Sequence, residues 1–331
     1  MIVHLNKNIT KEKAQQLAEK YQSTLFENGK FVLVTPSKVK AAEGELKELA
    51  EAVFVTDSDI QLAGKEYIST RREVKIGDIT IGGNSKNTLV IAGPCSVESE
   101  EQIEAAAKFL VELGVKALRA GAFKPRTSPY TFQGLGLAGL KLLDKMRGKY
   151  GLQIVTEVRD STHADEVIEY ADVIQVGAKS MYDHGILHKC GKTKKPVLLK
   201  RGFGTTLQEF VQAAEFILSG GNPNVILCER GIRTFETKTR FTLDLCGATW
   251  LKENTNLPII LDPSHAIGYA FGVPDLARAC IALGTDGVLI ETHPNPKEAK
   301  SDASQQLNFD EFRKLYSSMK KVAEAVDYKI V

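Results

Sequence analysis

The sequence predicts an α/β protein in which a small α+β domain precedes a closed parallel (β/α)8, or TIM, barrel. First, eight short apolar runs alternate with amphipathic stretches over roughly 240 residues, which is the usual size of such a barrel. Second, the first sixty residues carry a different pattern, in which strands and helices surround an Asn-Gly turn signal. A doubly wound open sheet is the alternative for the longer part, but such sheets usually contain fewer strands.

The N-terminal pattern has the order βαββαβ. Its strands are expected at residues 2–5, 23–26, 31–34 and 53–55, and its helices at about 10–21 and 37–49. This order predicts a ferredoxin-like domain over residues 1–60, joined by a polar linker at 61–72 to the barrel at 73–331. A regulatory or assembly module is the favoured interpretation because such folds often pair with one another. A merely stabilising appendage is the alternative.

The barrel pattern begins after a small hairpin that is predicted at residues 75–81. The strands are expected at 89–92, 117–120, 154–156, 173–176, 197–199, 225–227, 259–261 and 288–290. The stretches between them are amphipathic, and in one of them Ile103, Ala107 and Leu110 fall on one helical face.

The composition excludes several classes of protein. A formal net charge of +2 gives no general reason to expect nucleic acid or an anionic membrane as a partner. No apolar run is long enough to cross a bilayer, and the N-terminus lacks the features of a signal peptide. The 5 cysteines have no CxxC spacing and fit reduced thiols better than disulfides. A cytoplasmic location is therefore expected.

Basic residues concentrate where the predicted strands end, which is the edge where barrel enzymes carry their active sites. They are Arg119, Lys124, Arg126, Lys179, Lys200, Arg201, Arg230 and Arg233. Guanidinium and ammonium groups pair with phosphate and carboxylate oxygens, so this concentration indicates a substrate with several negative charges. Any one of these residues could instead point into solvent or an ion pair.

Potential metal ligands also follow these strands. Closing the barrel puts the first strand beside the eighth, so Cys95, His265 and either Glu291 or His293 can converge, with Asp302 from the following loop. Strand alternation puts Glu291 and His293 on the same side and does not choose between them. A thiolate, an imidazole and carboxylates suit a divalent transition metal better than calcium or magnesium. Taken singly, Cys95 is more often a buried small hydrophobe and His265 a structural residue.

Four stretches together resemble a known family. They are AGPCSVE at residues 92–98, KPRTSPY at 124–130, LKRG at 199–202 and CERGIR at 228–233. They resemble the type I 3-deoxy-D-arabino-heptulosonate 7-phosphate (DAHP) synthases, beta subclass, which share ancestry with 3-deoxy-octulosonate 8-phosphate synthases. The likeness covers about residues 75–326, and many members add an N-terminal ferredoxin-like domain that binds an aromatic amino acid. The resemblance implies condensation of phosphoenolpyruvate with erythrose 4-phosphate, the first step of the shikimate pathway.

The resemblance also implies a role for individual residues. One divalent ion of the Mn, Fe, Co or Zn type, with no organic cofactor, would be held by Cys95, His265, Glu291 and Asp302. The expected phosphoenolpyruvate-binding residues are Arg119, Lys124, Lys179, Lys200 and Arg230. Arg126 and Thr127 would hold the phosphate of erythrose 4-phosphate. The expected catalytic residues are Lys124, Glu157 and His265, with Glu157 near the attacking water. Lys124 is a candidate proton donor, because surrounding cations are expected to lower its pKa.

Two departures from the family pattern stand out. Lys179 occupies a position that is usually Arg, and residues 269–271, after His265, lack a basic pair that is common there. A 3-deoxy-octulosonate 8-phosphate synthase is the nearest alternative, but its loop usually reads Lys-Ala-Asn-Arg where this chain has Lys124-Pro125-Arg126. A silent barrel that serves as an aromatic amino-acid sensor or scaffold is the other alternative. A homotetramer with an aromatic amino-acid effector is expected from the family.

Overall fold

The computed structural model describes residues 1–124, 128 and 130–331. The α-helices are α1 (Lys11–Lys20), α2 (Gly44–Leu49), α3 (Glu100–Leu113), α4 (Leu137–Tyr150), α5 (Ala164–Tyr170), α6 (His184–Lys192), α7 (Leu207–Ser219), α8 (Leu245–Asn254), α9 (Pro263–Ile267), α10 (Val273–Ala282) and α11 (Phe309–Ala325). Within that described part of the chain, no helix combines the length and apolar character that a bilayer crossing requires.

The N-terminal domain is a four-stranded antiparallel sheet with two helices. Its strands are β1 (Ile2–Leu5), β2 (Thr24–Glu27), β3 (Phe31–Val34) and β4 (Ala50–Phe54), in the spatial order β2-β3-β1-β4. Alternate residues of β1 serve two cores, because successive side chains of a strand point to opposite faces. Val3 packs with Leu17 and Leu46 of the helices, whereas Ile2 belongs to the core shared with the barrel.

The second helix of this domain is shorter than predicted. We expect a helix over residues 37–49, but α2 begins at Gly44. Gly44 has a φ of +52°, a left-handed conformation that a continuous right-handed helix cannot contain. Strand β4 then starts at Ala50, earlier than the predicted residues 53–55.

The barrel consists of eight parallel strands. They are β7 (Asn87–Gly93), β8 (Ala117–Arg119), β9 (Gln153–Val158), β10 (Val173–Val176), β11 (Val197–Lys200), β12 (Val225–Glu229), β13 (Ile259–Leu261) and β14 (Gly287–Glu291). Each strand pairs with the next, and β14 closes the ring by pairing with β7 from Gly287↔Leu89 to Glu291↔Gly93. The closure confirms the predicted barrel over the open sheet. A short strand β15 (Lys329–Ile330) adds to the start of β7.

The predicted hairpin is present as β5 (Glu73–Ile76) and β6 (Ile79–Gly82). Its apolar side chains, including Val74 and Ile81, belong to the same core as the inward-facing strand residues Leu89 and Ile260. These two strand residues lie near the beginnings of β7 and β13, so the hairpin packs against the N-terminal end of the barrel. The opposite end is thereby left for the site.

The segment predicted as a polar linker, residues 61–72, starts in contact with the barrel. The Glu215 carboxylate on α7 accepts hydrogen bonds from the backbone N–H groups of Gln61, Leu62 and Ala63 at 2.7, 3.0 and 2.8 Å. Leu62 and Ala63 are buried. Buried N–H groups need partners, so this carboxylate fixes the point where the N-terminal domain meets the barrel.

Candidate active site

The site is built on the two-residue period of the barrel strands. The interior core contains Ile91, Ala117, Val155, Val173, Leu198, Cys228, Ile260 and Leu289. Two residues further along each strand, on the same inward face, the chain places Gly93, Arg119, Glu157, Gln175, Lys200, Arg230, Asp262 and Glu291. A polar layer therefore covers an apolar one at the C-terminal end of the barrel.

Four potential metal ligands converge in this layer. One donor atom from each of Cys95, His265, Glu291 and Asp302 lies within 4.8 Å of the other three. The Cys95 Sγ is 3.2 Å from Asp302 Oδ2, and the His265 Nε2 is 3.4 Å from Glu291 Oε1. Cys95 and Glu291 are fully buried. The sequence alone left Glu291 and His293 as alternatives, and the geometry brings Glu291 into this group.

Backbone contacts hold Cys95 in place. Gly93 has a φ of +144°, and a Cβ there would lie 2.2 Å from the carbonyl oxygen of Arg119. Glycine at this position therefore lets the chain after β7 approach the end of β8 closely. Gly121 then donates to the carbonyl of Cys95 at 3.1 Å. Burial and the neighbouring Glu291 raise the pKa of the Cys95 thiol to about 12.

Lys124 lies beside this thiol. Its ammonium group donates to the Cys95 carbonyl at 2.9 Å and is 3.1 Å from the sulfur. Burial alone would lower the pKa of Lys124, but Cys95, Glu157 and Glu291 around it raise the pKa overall. The expectation of a lowered pKa is therefore wrong, because acidic groups outnumber Arg119 in its surroundings.

His265 is oriented by a buried carboxylate. The Asp262 Oδ2 lies 2.7 Å from His265 Nδ1 and accepts from Lys200 Nζ at 2.6 Å. The other oxygen of Asp262 accepts from the His265 backbone N–H at 3.0 Å. Burial lowers the pKa of His265, although Asp262 and Glu291 oppose this effect. The ring is therefore neutral near pH 7, with Nε2 directed toward the group of potential ligands.

Glu291 is held from two sides. Arg119 donates to its Oε1 at 2.7 Å, and Gln305 donates to its Oε2 at 2.7 Å. Burial tends to raise the pKa of Glu291, but His265 and Arg119 lower it overall. Arg119, predicted as a phosphoenolpyruvate ligand, thus pairs with a potential metal ligand at the centre of the barrel.

A cavity opens beside these groups. Among the predicted site residues, its lining includes Lys124, Glu157, Lys179, Lys200, Arg230, His265 and Asp302. Arg230 is 5% exposed, and its Nη1 atom has no hydrogen-bond partner among the described residues. A buried cation with an unused donor is suited to an anionic ligand. The predicted Arg126 and Thr127 lie outside the described residues.

Two of the basic residues at the strand ends have other partners. Arg201 donates to Glu229 at 3.2 Å and to Asp244 at 2.8 Å, and it is buried between them. Arg233 is exposed, and its guanidinium carbon lies 4.8 Å from the centre of the Phe203 ring. For these two residues, an ion pair and a surface stacking contact replace the expected anion contact.

Sequence reasoning missed several residues of the cavity wall. They are Gln175, Phe203, Arg240 and Phe241. Gln175 could have been found, because it follows the inward-facing Val173 by two positions. Arg240 and Phe241 lie in an irregular loop, where no periodicity gives a signal. The backbone of Phe241 donates to Ala266 O at 2.8 Å, which brings this loop to the cavity.

Comparisons with known proteins identify the family to which this chain is similar. The model of the DAHP synthetase I family matches residues 24–328. The phospho-2-dehydro-3-deoxyheptonate aldolase of Thermotoga maritima is 45% identical over 292 residues, which cover 88% of this chain and 86% of that protein. The 2-dehydro-3-deoxyphosphooctonate aldolase of Syntrophotalea carbinolica is 31% identical over 264 residues, which cover 74% of this chain and 94% of that protein.

Solved structures extend the likeness to the N-terminal domain. A crystal structure of phospho-2-dehydro-3-deoxyheptonate aldolase (DAHP synthase) from Thermotoga maritima matches with a TM-score of 0.80 and 40% identity, covering 100% of this chain and 98% of its own. A truncated form of the 3-deoxy-D-arabino-heptulosonate 7-phosphate synthase from the same organism matches with a TM-score of 0.77 and 43% identity, covering 83% of this chain and 100% of its own. This chain belongs to the DAHP synthetase I family.

Proposed function

We propose that this chain is a DAHP synthase that condenses phosphoenolpyruvate with erythrose 4-phosphate and water and releases phosphate. The observation that carries the proposal is a buried Cys/His/Glu/Asp group beside a cavity lined by Lys124, Lys179, Lys200 and Arg230. Two phosphorylated substrates need several cations in one cavity, and the protein as a whole has a net charge of only +2. The family membership supports the same reaction.

One divalent ion of the Mn, Fe, Co or Zn type fits the four potential ligands. Thiolate and imidazole donors favour such ions, whereas calcium and magnesium prefer oxygen ligands alone. Cys95, His265, Glu291 and Asp302 would hold the ion, and Asp262 would orient the His265 ring. When bound, the ion supplies a Lewis acid for the aldehyde oxygen of the sugar phosphate.

The cationic residues bind and orient the substrates. Lys200 and Arg230 are almost fully buried and line the cavity, so their charges are poorly screened by water and attract the phosphate and carboxylate of phosphoenolpyruvate. Lys179 offers a further point charge from the segment after β10. Arg126 and Thr127 are assigned to the phosphate of erythrose 4-phosphate by the sequence resemblance alone.

The reaction joins carbon 3 of phosphoenolpyruvate to the aldehyde carbon of erythrose 4-phosphate. Positive charge develops at carbon 2, water adds there, and the resulting phosphohemiketal expels phosphate by cleavage of its carbon–oxygen bond. Glu157 is assigned a position near the attacking water. Gln175 donates a 3.1 Å hydrogen bond to the Oε2 atom of Glu157. Lys124 keeps its proton near pH 7 because its pKa is raised, so it is a cationic hydrogen-bond donor.

Residues 1–60 are assigned a regulatory role that fits a beta-subclass enzyme with a ferredoxin-like domain. An aromatic amino acid is the proposed effector, and a homotetramer is the proposed assembly. The βαββαβ order and the β2-β3-β1-β4 sheet support this assignment. Its test compares inhibition by tyrosine and phenylalanine of the intact protein and of a form that begins at residue 60, which keeps the Glu215 contacts. Equal responses of the two forms would remove the regulatory role.

Cysteine variants test the catalytic proposal. Cys95→Ala should lose most phosphate release and most bound divalent metal while remaining folded. Cys246→Ala is the matched control, because this cysteine is exposed and lies on α8, away from the four ligands. Retained activity and metal content in Cys95→Ala would exclude the proposed centre.

A further inference from the structure

One potential metal ligand has an unfavourable backbone conformation. Asp302 has φ +47° and ψ 42°, the left-handed region that residues other than glycine rarely adopt. The conformation costs free energy, so surrounding contacts must hold it. Downstream, Gln306 accepts from the backbone N–H of Cys95 at 3.0 Å and donates to the carbonyl of Ser301 at 2.8 Å. These contacts tie Gln306, downstream of the ligand, to Ser301, immediately upstream of it.

Further upstream, Glu98 holds the backbone of Lys300. Its Oε1 accepts a hydrogen bond at 2.9 Å from the backbone N–H of Lys300, two residues before Asp302. The Ser96 hydroxyl donates to the same oxygen at 3.1 Å. The Glu98 side chain is only 7% exposed, whereas Lys300 lies at the surface. Glu98 thus joins the segment after Cys95 to the segment that carries Asp302.

His293 faces the other oxygen of Glu98 but lies too far away for a hydrogen bond. Its Nε2 lies 3.6 Å from Glu98 Oε2, and its side chain is 4% exposed. Its Nδ1 accepts from the backbone N–H of Asn295 at 3.0 Å. Because Nδ1 acts as an acceptor, the ring N–H lies on Nε2 and faces Glu98. His293 is therefore directed toward Glu98 rather than toward the four potential ligands.

We propose that Glu98 and His293 form a positioning pair that holds the left-handed backbone at Asp302 and thereby sets the affinity of the site for its divalent cation. The inference rests on the metal site proposed above and adds two residues that do not themselves bind the ion. Removing the pair lets the 300–302 segment relax to a conformation in which the Asp302 carboxylate no longer meets Cys95 and Glu291. Groups that orient metal ligands in this way commonly change affinity by about 10- to 100-fold.

The test uses Glu98→Ala, with Glu98→Gln as the milder variant. The amide of Gln keeps an acceptor for the Lys300 N–H but loses the charge that faces His293. Glu101→Ala is the matched control, because this exposed carboxylate lies on the same stretch of chain. The affinity of each full-length protein for Mn²⁺ is measured without substrates, by competition with a chromophoric chelator. The Co²⁺ absorption spectrum and hydrogen exchange of residues 300–306 are recorded on the same proteins.

We expect Glu98→Ala to weaken Mn²⁺ binding by about 10- to 100-fold, to alter the Co²⁺ spectrum and to speed exchange in residues 300–306. Glu98→Gln should show a smaller change, and Glu101→Ala none. Saturating Mn²⁺ should restore kcat in the Glu98 variants, because the pair does not touch substrate. Unchanged Mn²⁺ affinity in both Glu98 variants would overturn the inference. Failure of the unaltered protein to bind Mn²⁺ or Co²⁺ would instead overturn the proposed metal site. If Glu98→Ala does not fold, Glu98→Gln and His293→Gln decide the question by the same measurements.

Discussion

The buried contact between Asp262 and Lys200 predicts a large effect for one isosteric substitution. In Asp262→Asn, the side chain keeps its size but loses the charge that faces the Lys200 ammonium at 2.6 Å. The side chains are 0% and 4% exposed, so water cannot replace the lost counter-charge. Removing one partner of such a buried pair typically costs about 3–5 kcal/mol. The amide nitrogen of Asn would also bring a donor toward either Lys200 or His265.

The same substitution should weaken cation binding. His265 loses the carboxylate that lies 2.7 Å from its Nδ1, so the ring is no longer held with Nε2 toward Glu291. Loss of such an orienting group typically costs about 10- to 100-fold in metal affinity. Phosphate should partly restore stability, because a bound anion supplies Lys200 with a new counter-charge.

Asp286→Asn provides a matched control at the other end of the barrel. Asp286 is also buried, pairs with Arg71 at 2.6 Å and immediately precedes β14. Urea unfolding should show a loss of about 3 kcal/mol or more for Asp262→Asn and a smaller loss for Asp286→Asn, because burial raises the pKa of Asp286 and its partner Arg71 is 15% exposed. Mn²⁺ affinity should fall only in Asp262→Asn. A loss below about 1 kcal/mol in Asp262→Asn, or an equal loss of Mn²⁺ affinity in both variants, would refute the reasoning.

Three further predictions concern pH and substrate affinity. Burial and Glu291 raise the pKa of Cys95 to about 12, so binding of a cation by the thiolate must release the thiol proton. Mn²⁺ affinity should therefore rise about tenfold per pH unit between pH 6.5 and 8.5, and a pH-independent affinity would count against thiolate ligation. Burial raises the pKa of Glu215 from 4.5 to about 7, although its three N–H donors act in the opposite direction. The folded protein therefore binds this proton more tightly than the unfolded chain, and the free energy of unfolding falls as the pH rises from about 4.5 to about 7. Between pH 4.5 and 7.5, the free energy of unfolding measured in urea should fall by up to about 3 kcal/mol more in the unaltered protein than in Glu215→Gln. An identical pH dependence of the two unfolding free energies would exclude the effect. Lys179→Ala should raise the KM for phosphoenolpyruvate far more than that for the sugar, and an unchanged KM would remove Lys179 from that site.

The barrel was predictable because its strands are buried on both sides. Continuous apolar runs such as Val225–Leu227 can be recognised without knowledge of their partners, and the ring closure followed from their number. The start of α2 was not predictable in this way. Residues 37–43 resemble a helix in composition, but the left-handed backbone at Gly44 separates them from the helix that follows.

The site was predictable where strand periodicity determines direction. Lys200 and Glu291 follow inward-facing core residues by two positions, so their side chains had to point into the barrel. Arg240 reaches the cavity through loop contacts that follow no periodic pattern, so no periodicity in the sequence could indicate it. The direction of the pKa shift of Lys124 depends on its distances to Cys95 and other acidic groups. A count of nearby cations in the sequence does not provide those distances.

Phosphate release, measured separately with each of two sugar phosphates, decides whether the proposed reaction is correct. The full-length protein is assayed with phosphoenolpyruvate and either erythrose 4-phosphate or arabinose 5-phosphate, before chelation, after chelation and after Mn²⁺ is restored. We predict release that depends on erythrose 4-phosphate, is much slower with arabinose 5-phosphate, disappears on chelation and returns with Mn²⁺. Comparable kcat/KM for the two sugars would contradict the assignment of the substrate. Full activity after complete removal of the metal would contradict the proposed role of Cys95, His265, Glu291 and Asp302.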